Sequence, residues 1–398
     1  MGYPAFWIRD AVMMLGADLV PAGEVEGWIR LMASTVRDED WRVHPGAIVP
    51  AYAVPDHINF DGRPTFYPGT YDSGVKQGGH PYGKFPPLDD QFYFIAAVHA
   101  HWRLSRSAAL FRARLAAGST AMELAELCER VYQAAPSGRD GLVVAGDVDS
   151  DNAKDWGFCD TVFKSGKLLF PSILKYNAAT QLAALFAAAG ERAKSGRYRA
   201  EALRLRKSIS KTFRRNDGWL RSATLAGNQP DIWGTAFAVW SGAVDPSAAM
   251  AASRALATAY RARTSVRNGL VRQILTDDAA NGGLWEKSVA PAGTYQNGGY
   301  WGVPAGWYIA ALERSDPEAA REMAKEFVAF LRNVRSDGLS EAWEWVNPDT
   351  GKRNNPLYVA TIVLPYISLL QAGLLPTPAA GLRSAPAECC VPGPLRIR

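Results

Sequence analysis

The 398-residue sequence predicts an all-α protein whose helical hairpins close into a six-hairpin (α/α)6 toroid, with its long loops on one face. Three observations predict this class. Most segments repeat apolar residues three and four positions apart, strand-like alternation is short and scarce, and brief connections alternate with long ones. An open helical solenoid is the alternative, but no repeat of about 20 to 50 residues is visible.

The periodicity predicts eleven helices. In chain order they cover residues 10–19, 24–36, 89–104, 121–135, 172–189, 198–213, 232–244, 248–262, 304–312, 317–334 and 358–371. Start signals support two of them: Asp316 is followed by Pro317, and Asp231 can cap the helix after it. The long connections cover residues 41–87, 136–171, 266–302 and 335–356, and connections of this length usually carry function.

Composition excludes several classes of protein. Hydrophobic residues make up 48% of the chain and charged residues 21%, which excludes intrinsic disorder. The net charge of +5 is spread along the chain, so we expect no nucleic-acid partner. The four cysteines have no metal-ligand spacing, and we expect no metal.

The apolar segments of the sequence also predict no membrane span and no targeting signal. The longest apolar run, residues 358–370, is broken by Pro365 and is shorter than the ~18 residues of a membrane span, so no membrane association is expected. Arg9 and Asp10 interrupt the apolar N-terminal stretch, so we expect that it is not a signal peptide. We expect a cytoplasmic protein with one domain over residues 1–375 and a disordered tail over 376–398, where five prolines occur.

The first segment with chemical potential is FWIRDA, in which Trp7 precedes Arg9 and Asp10 at a helix start. An arginine and a carboxylate beside an indole can hold two hydroxyls of one sugar while the ring covers its apolar face. The alternative is an aspartate favoured by the helix dipole, with the arginine on the surface.

The densest carboxylate segment is DVDSDNAKDWGFCD, residues 147–160. Its alternating aspartates lack the glycine and closing glutamate of an EF-hand calcium loop. Asp155 is followed by Trp156, Gly157 and Phe158. Aromatic rings around a carboxyl group exclude water and raise its pKa, which suits a general acid. Asp160 is the reserve candidate, and a capping or ion-paired role for Asp155 is the alternative.

Two later segments combine polar groups with aromatic rings. The segment GTYQNGGYWG places Asn297 and Gly298 before Tyr300 and Trp301, which offers hydrogen bonds and stacking surfaces together. The segment SEAWEWVNPDTG holds Glu341, Trp343 and Glu344, so that carboxylates again lie among rings.

Weaker signals accompany these segments. Asp89 and Asp90 start a helix and can act as caps or hydroxyl binders, and residues 231–235 can line the same rim. Two histidines, His57 and His80, lie in the long early loop, where a satisfied hydrogen bond is more common than catalysis.

These segments, in this order, resemble the glucoamylases, trehalases, processing α-glucosidases and related (α/α)6 glycosidases, over residues 7 to about 374. The resemblance implies that Arg9 and Asp10 bind the sugar to be cleaved, that Asp155 is the general acid, and that Glu344, which the following Pro-x-Thr-Gly turn favours over Glu341, is the base. Trp7, Asp90, Trp156, Asn297, Gly298, Tyr300, Trp301, Glu341 and Trp343 are the further expected sugar contacts. A helix usually precedes the Arg-Asp segment in those families, so we expect that it is either missing or replaced here.

The implied activity is an inverting glycoside hydrolase that acts on an α-glucoside or a similar small glycoside without a cofactor. Two other functions stay open. An epimerase or isomerase on the same scaffold would use histidines, and a silent sugar-binding protein would keep the aromatic cleft without turnover. The sequence gives no basis for the sugar identity, the linkage, the substrate length or the oligomeric state.

Overall fold

The computed structural model describes residues 5–44, 47–66, 88–145, 158–336, 339–340 and 342–376. The predicted Asp155, Trp156 and Glu341, together with the expected tail after Pro376, lie outside these residues. None of the helices in the described ranges combines the length and the apolar character that crossing a membrane requires.

Twelve α-helices occur in the described residues: α1 Ile8–Met13, α2 Ala22–Thr35, α3 Asp90–Ser105, α4 Ala109–Arg112, α5 Leu124–Ala134, α6 Leu169–Ala188, α7 Arg192–Phe213, α8 Ile232–Ser241, α9 Pro246–Arg261, α10 Ala305–Glu313, α11 Pro317–Asn333 and α12 Ala360–Gln371. A 3₁₀ helix, Met14–Ala17, continues α1. All eleven predicted helices are confirmed, and the four-residue α4 is the one that periodicity missed because it is too short to show a repeat.

The predicted caps are confirmed as well. Asp231 accepts a hydrogen bond from the Gly234 amide at 2.9 Å, and Asp316 accepts one from the Ala319 amide at 3.0 Å with Pro317 at the first helical position. Each carboxylate satisfies a backbone donor that the first helical turn leaves unpaired.

Packing sorts the helices into two sets. Inner helices α1, α3, α6, α8, α10 and α12 pack each against the next, and α12 returns to α1 and the 3₁₀ helix. The other long helices flank them: α2 packs on α3, α5 on α3 and α6, α7 on α6, α9 on α8 and α10, and α11 on α10 and α9. Composition explains this division, because α8 is apolar all round and buried on nearly every side, whereas α11 is amphipathic and buries one stripe.

A close approach fixes the distance between two inner helices. A Cβ atom on Gly306 of α10 would lie 2.7 Å from the Cα atom of Pro365 and 2.7 Å from the Cβ atom of Ser368, both in α12. A larger residue at this position would therefore force the two helix backbones apart.

The prediction of an all-α protein is confirmed in part, because the fold is mostly helical but also contains strands. Sixteen short strands occur in the described residues: β1 Ala5–Trp7, β2 Trp41–His44, β3 Ala47–Val49, β4 His57–Asn59, β5 Pro64–Thr65, β6 Arg114–Ala117, β7 Thr120–Glu123, β8 Val144–Ala145, β9 Gly166–Lys167, β10 Val266–Arg267, β11 Leu270–Arg272, β12 Tyr300–Trp301, β13 Arg335–Ser336, β14 Leu339–Ser340, β15 Trp345–Val346 and β16 Arg353–Asn354. None exceeds four residues, so alternation along the sequence is too short to reveal them. The fold is thus mostly helical with small antiparallel sheets in its connections.

Two of these sheets hold residues of the predicted site. β1 pairs with β4 and β4 with β5, which places Trp7 opposite His57. The largest sheet is antiparallel with the order β10-β11-β12-β15-β16, and it places Trp301 opposite Trp345. In the first sheet, β1 directly precedes α1. In the second sheet, β10 to β12 precede α10, and β15 and β16 precede α12. Both sheets therefore place side chains at the N-terminal ends of inner helices.

Candidate active site

A cavity of about 90 Å³ lies at the N-terminal ends of the inner helices, and we call it the carboxylate cavity. Its walls carry three carboxylic acids, one arginine and six aromatic rings. The lining residues are Trp7, Arg9, Asp10, Met13, Phe158, Asp160, Trp233, Tyr295, Gln296, Trp301, Glu344 and Tyr358. The structure therefore brings together five of the predicted site residues and the reserve acid Asp160, although they are separated by more than 300 positions in the chain.

Arg9 is held by three aspartates. Its Nε atom donates to Asp89 Oδ2 at 3.0 Å, and its Nη2 atom donates to Asp89 Oδ1 at 3.2 Å and to Asp56 Oδ1 at 3.3 Å. The same Nη2 atom lies 3.5 Å from Asp90 Oδ2. Burial alone would lower the pKa of Arg9, but the three carboxylates raise it well above its ordinary value. Arg9 is therefore a buried hub that ties the start of α1 to the start of α3.

The acids around Arg9 are perturbed in opposite directions. Burial raises the pKa of Asp90 well above its ordinary value, against the opposing charge of Arg9. Burial would also raise the pKa of Asp56, but a 2.8 Å hydrogen bond from His57 Nδ1 and the charge of Arg9 hold it below the ordinary value. Asp90 was predicted as a sugar contact; it is fully buried behind Arg9 and is not part of the cavity wall.

Asp10 has a partner that the sequence did not indicate. The Tyr358 hydroxyl, contributed by the residues just before α12, donates to Asp10 Oδ1 at 2.5 Å. Burial raises the pKa of Asp10, while the hydrogen bond from Tyr358 and the charge of Arg9 act in the opposite direction. Arg9 and Asp10 were predicted to bind the same sugar together. In the structure Asp10 lines the cavity beside Tyr358, whereas the guanidinium of Arg9 is bound by aspartates.

Glu344 is 3% exposed and fixed at two points. The Asn355 side-chain amide donates to Glu344 Oε2 at 2.5 Å, and the Glu344 backbone amide donates to the Asn355 carbonyl at 3.0 Å. Asn355 adopts a left-handed backbone conformation with a φ of 49°, which asparagine tolerates better than most residues. The connection before α12 therefore holds this carboxylate rigidly in the cavity wall.

Strand alternation separates Tyr300 from Trp301. Because successive side chains of a strand point to opposite faces, only one of the two can face the cavity. Trp301 lines it, and its Nε1 atom donates to the Tyr295 carbonyl at 3.2 Å. Tyr300 shares the opposite face with its cross-strand neighbours Arg272 and Val346. Tyr300, predicted as a sugar contact, therefore does not line this cavity.

The Asn-Gly pair after Gln296 builds its loop and does not line the cavity. Asn297 Oδ1 accepts from the Trp285 amide at 3.0 Å, and Asn297 Nδ2 donates to the Ala290 carbonyl at 2.9 Å, so both ends of the amide are engaged. Gly298 has a φ of 113°, and a Cβ atom there would lie 2.7 Å from Arg272 Nη2. Both residues were predicted as sugar contacts, and the structure gives them a role in shaping the turn.

Gln296, which the sequence analysis did not select, joins two connections at the cavity. Its Nε2 atom donates to the Phe158 carbonyl at 2.7 Å, and its Oε1 atom accepts from the Thr161 amide at 3.1 Å and hydroxyl at 2.9 Å. It fixes the segment that carries Asp160 against the segment that carries Trp301.

Trp343, also predicted as a sugar contact, does not line the cavity. Its ring lies under the Arg353 guanidinium, whose carbon is 4.5 Å from the ring centroid. The adjacent Glu344 lines the cavity, and Trp345 lies on the same face of the sheet as Trp301.

Several aromatic residues of the wall were not predicted because nothing in their local sequence marks them. Trp233 opens α8, and its ring centroid lies 5.7 Å from that of Phe158 and 5.3 Å from that of Trp301. Residues 231–235 were predicted only as a possible rim of the site.

Within the described residues, no group of three or more histidine, cysteine, aspartate or glutamate side chains could hold a metal ion.

Several solved structures with a similar fold are glycosidases. A wild-type glycosidase matches with a TM-score of 0.53 and 14% identity, and a glycosidase variant in complex with glucose matches with a TM-score of 0.54 and 15% identity; each match covers 94% of this chain and 89% of the other. A rhamnosidase from Klebsiella oxytoca with rhamnose bound matches with a TM-score of 0.55 and 17% identity, over 93% of this chain but 58% of the rhamnosidase.

No protein-family profile and no curated protein sequence matches the chain. At identities this low the structural likeness shows the fold alone. The chain therefore shares the mostly helical (α/α) fold of these glycosidases.

Proposed function

We propose that this protein is a glycoside hydrolase that cleaves a small glycoside by general acid and base catalysis. The observation that carries the proposal is the carboxylate cavity, in which Asp10, Asp160 and Glu344 lie among six aromatic rings. Carboxylates supply the acid, the base and hydroxyl binding, while ring faces cover the apolar side of a sugar. The fold that this chain shares with solved glycosidases supports the same reaction class independently of the cavity.

Glu344 is the proposed base. The Asn355 amide fixes its carboxylate through a charge-assisted hydrogen bond, so it can accept a proton from water without first reorganising. In an inverting reaction this water attacks the anomeric carbon while an acid on the opposite side protonates the leaving oxygen, and the two carboxyl groups lie roughly 6.5 to 9.5 Å apart. We propose inversion and an α-glucoside or a similar sugar.

Asp155 remains the proposed acid, with Asp160 the alternative that lines the cavity. Substrates with different leaving groups can tell them apart. A nitrophenolate departs without full protonation, so loss of the true acid should affect alkyl glycosides far more than nitrophenyl glycosides. We expect Asp155→Asn to show this selective loss and Asp160→Asn to affect both substrates alike; the reverse pattern would move the acid to Asp160.

Asp10 is the proposed binder of sugar hydroxyls. Loss of a charged partner from a desolvated hydrogen-bonded pair costs ~2 to 5 kcal/mol, so Asp10→Ala should weaken sugar binding by roughly two or more orders of magnitude. Tyr358→Phe removes only one hydrogen bond and should weaken it by roughly 3- to 10-fold. Titration calorimetry with the sugar product would measure both, with exposed Asp61→Ala as the control. Parent-like binding and turnover in Asp10→Ala would remove Asp10 from the site.

The architecture that we propose with this function is the six-hairpin toroid. Its support is the closed sequence of contacts among the six inner helices and the meeting of their N-terminal connections at one cavity. An experimental structure with a substantial parallel sheet, or with these connections divided between opposite faces, would contradict it.

A screen of nitrophenyl and alkyl α-glucosides and α-rhamnosides, with reducing-sugar detection, tests the function. Release of free sugar is the expected result. Binding without turnover would instead favour a silent sugar-binding protein, and interconversion of sugars without cleavage would favour an epimerase. An epimerase would need a histidine in the cavity; His57 packs on Trp7 with ring centroids 4.1 Å apart, but it is not part of the cavity wall.

A further inference from the structure

A second cavity, of about 300 Å³, lies among the inner helices, and we call it the axial cavity. Each of the six inner helices contributes to its wall. Of its lining residues, Met13 alone also lines the carboxylate cavity. Tyr358 of the carboxylate cavity precedes α12, whereas Gln371 of the axial cavity ends it, and a helix of twelve residues is ~18 Å long. The two cavities therefore adjoin at Met13, and the axial cavity extends from there toward the C-terminal end of α12.

We propose that the axial cavity is a second binding site, for a neutral aromatic molecule that carries a hydroxyl donor. Its volume lies at the lower end of the range of ~300 to 1,000 Å³ that is typical of small-molecule sites. Like such sites, it combines a mainly apolar wall with a few polar groups between packed helices.

Aromatic rings form one wall of the axial cavity. Phe237 and Trp240 stack with their ring centroids 5.7 Å apart, and Trp307 lies 4.7 Å from Phe237. The polar edge of Trp240 is satisfied, because its Nε1 atom donates to the Ser368 carbonyl at 3.0 Å. What the half-buried Trp240 offers a ligand is therefore its ring, which suits a planar aromatic body.

The polar group that selects a donor is Gln181. Its Oε1 atom is buried and has no hydrogen-bond partner within the residues that the structure describes. A buried acceptor without a partner is costly, and a ligand hydroxyl in the cavity would remove that cost once the half-buried Gln181 side chain turns its oxygen toward it. The side-chain amides of Asn177 and Gln371 also line the cavity and can donate to the same hydroxyl oxygen.

Charge considerations select a neutral molecule. Of the lining residues, Arg103 and His99 are the two that can carry a charge near neutral pH. Arg103 is already paired with Asp18. Burial, followed by the nearby charge of Arg103, lowers the pKa of His99 to about 4, so its imidazole is uncharged at pH 7. An ionic ligand would thus find no unpaired opposite charge in this wall.

Titration calorimetry of the full chain with phenol, anisole and toluene tests the proposal. These probes share one ring, and only phenol has a hydroxyl donor. One neutral hydrogen bond corresponds to roughly a 3- to 10-fold preference, so phenol should bind that much more tightly than anisole and toluene. In Gln181→Leu the preference for phenol over anisole, whose oxygen can accept from the same two amides, should fall to about one while toluene still binds. In Ala96→Phe, which places a ring at the half-buried cavity wall, phenol binding should be lost.

Asp10→Ala is the control, since it alters the carboxylate cavity and should leave phenol binding unchanged. The proposal is overturned if phenol does not bind, if Gln181→Leu keeps the phenol preference, or if Asp10→Ala abolishes binding. If Ala96→Phe does not fold, as judged by circular dichroism, the preference ratio in Gln181→Leu decides alone. None of these outcomes depends on glycosidase activity.

Discussion

Replacing Glu344 with glutamine should lower kcat by roughly 10²- to 10⁴-fold, the usual contribution of one general base. The amide has nearly the same shape as the carboxylate and its oxygen can still accept the hydrogen bond from Asn355. Thermal unfolding should therefore stay near that of the parent. Steady-state kinetics on the best substrate of the glycoside screen, together with a melting curve, would measure both quantities.

Glu318→Gln is the matched control for this change. Glu318 has a side chain that is 77% exposed at the start of α11, far from the cavity wall, so its variant should turn over substrate like the parent. Full activity in Glu344→Gln would move the base to Glu341, the other glutamate of the same segment.

Replacing Arg9 with methionine should destabilise the fold by about 3 to 5 kcal/mol, because it leaves buried carboxylates without their compensating charge. Asp56, Asp89 and Asp90 all lie within 3.5 Å of the guanidinium, and both acids at the start of α3 are fully buried. Chemical denaturation at pH 7 would measure the loss. Arg9→Lys should recover only part of it, since an ammonium cannot form the two-pronged contact with Asp89.

The pH dependence and a control sharpen this test. Without Arg9, the buried acids bind protons more tightly in the folded chain than in the unfolded chain, so the variant should lose stability as pH rises. Its deficit should be larger at about pH 8 than at about pH 5. Arg30→Met removes an exposed pair with Glu26 and should cost ~0.5 kcal/mol. A similar cost for Arg9→Met and Arg30→Met would show that Arg9 is not a structural hub.

The eleven predicted helices could be found because each carries its own period of apolar residues over nine or more positions. The short strands could not be predicted, since two to four residues are too few to show an alternating pattern. Because the strands could not be predicted, the sequence could not show which side chains of a strand face the cavity. Tyr300 and Trp301 are adjacent and equally aromatic, and only the pairing of β12 with β11 and β15 shows which one faces the cavity.

The acidic residues illustrate the other limit. Sequence placed Asp10 and Glu344 in the site because rings surround them locally, and both line the cavity. It could not show that Arg9 is engaged by Asp56 and Asp89, because those contacts join residues 47 and 80 positions apart. Tyr358 was missed for the same reason, since its bond to Asp10 spans 348 positions.

Proton NMR of the first-formed sugar tests the central claim, that this cavity hydrolyses a glycosidic bond by inversion, most directly. The parent protein would be mixed with the best α-glycoside of the screen, and the anomeric signals would be followed before mutarotation. We predict that free sugar appears first as the β anomer and that Glu344→Gln produces it at least 100-fold more slowly. A first product with the α configuration would contradict inversion, and the absence of any free sugar across the panel would contradict hydrolysis itself.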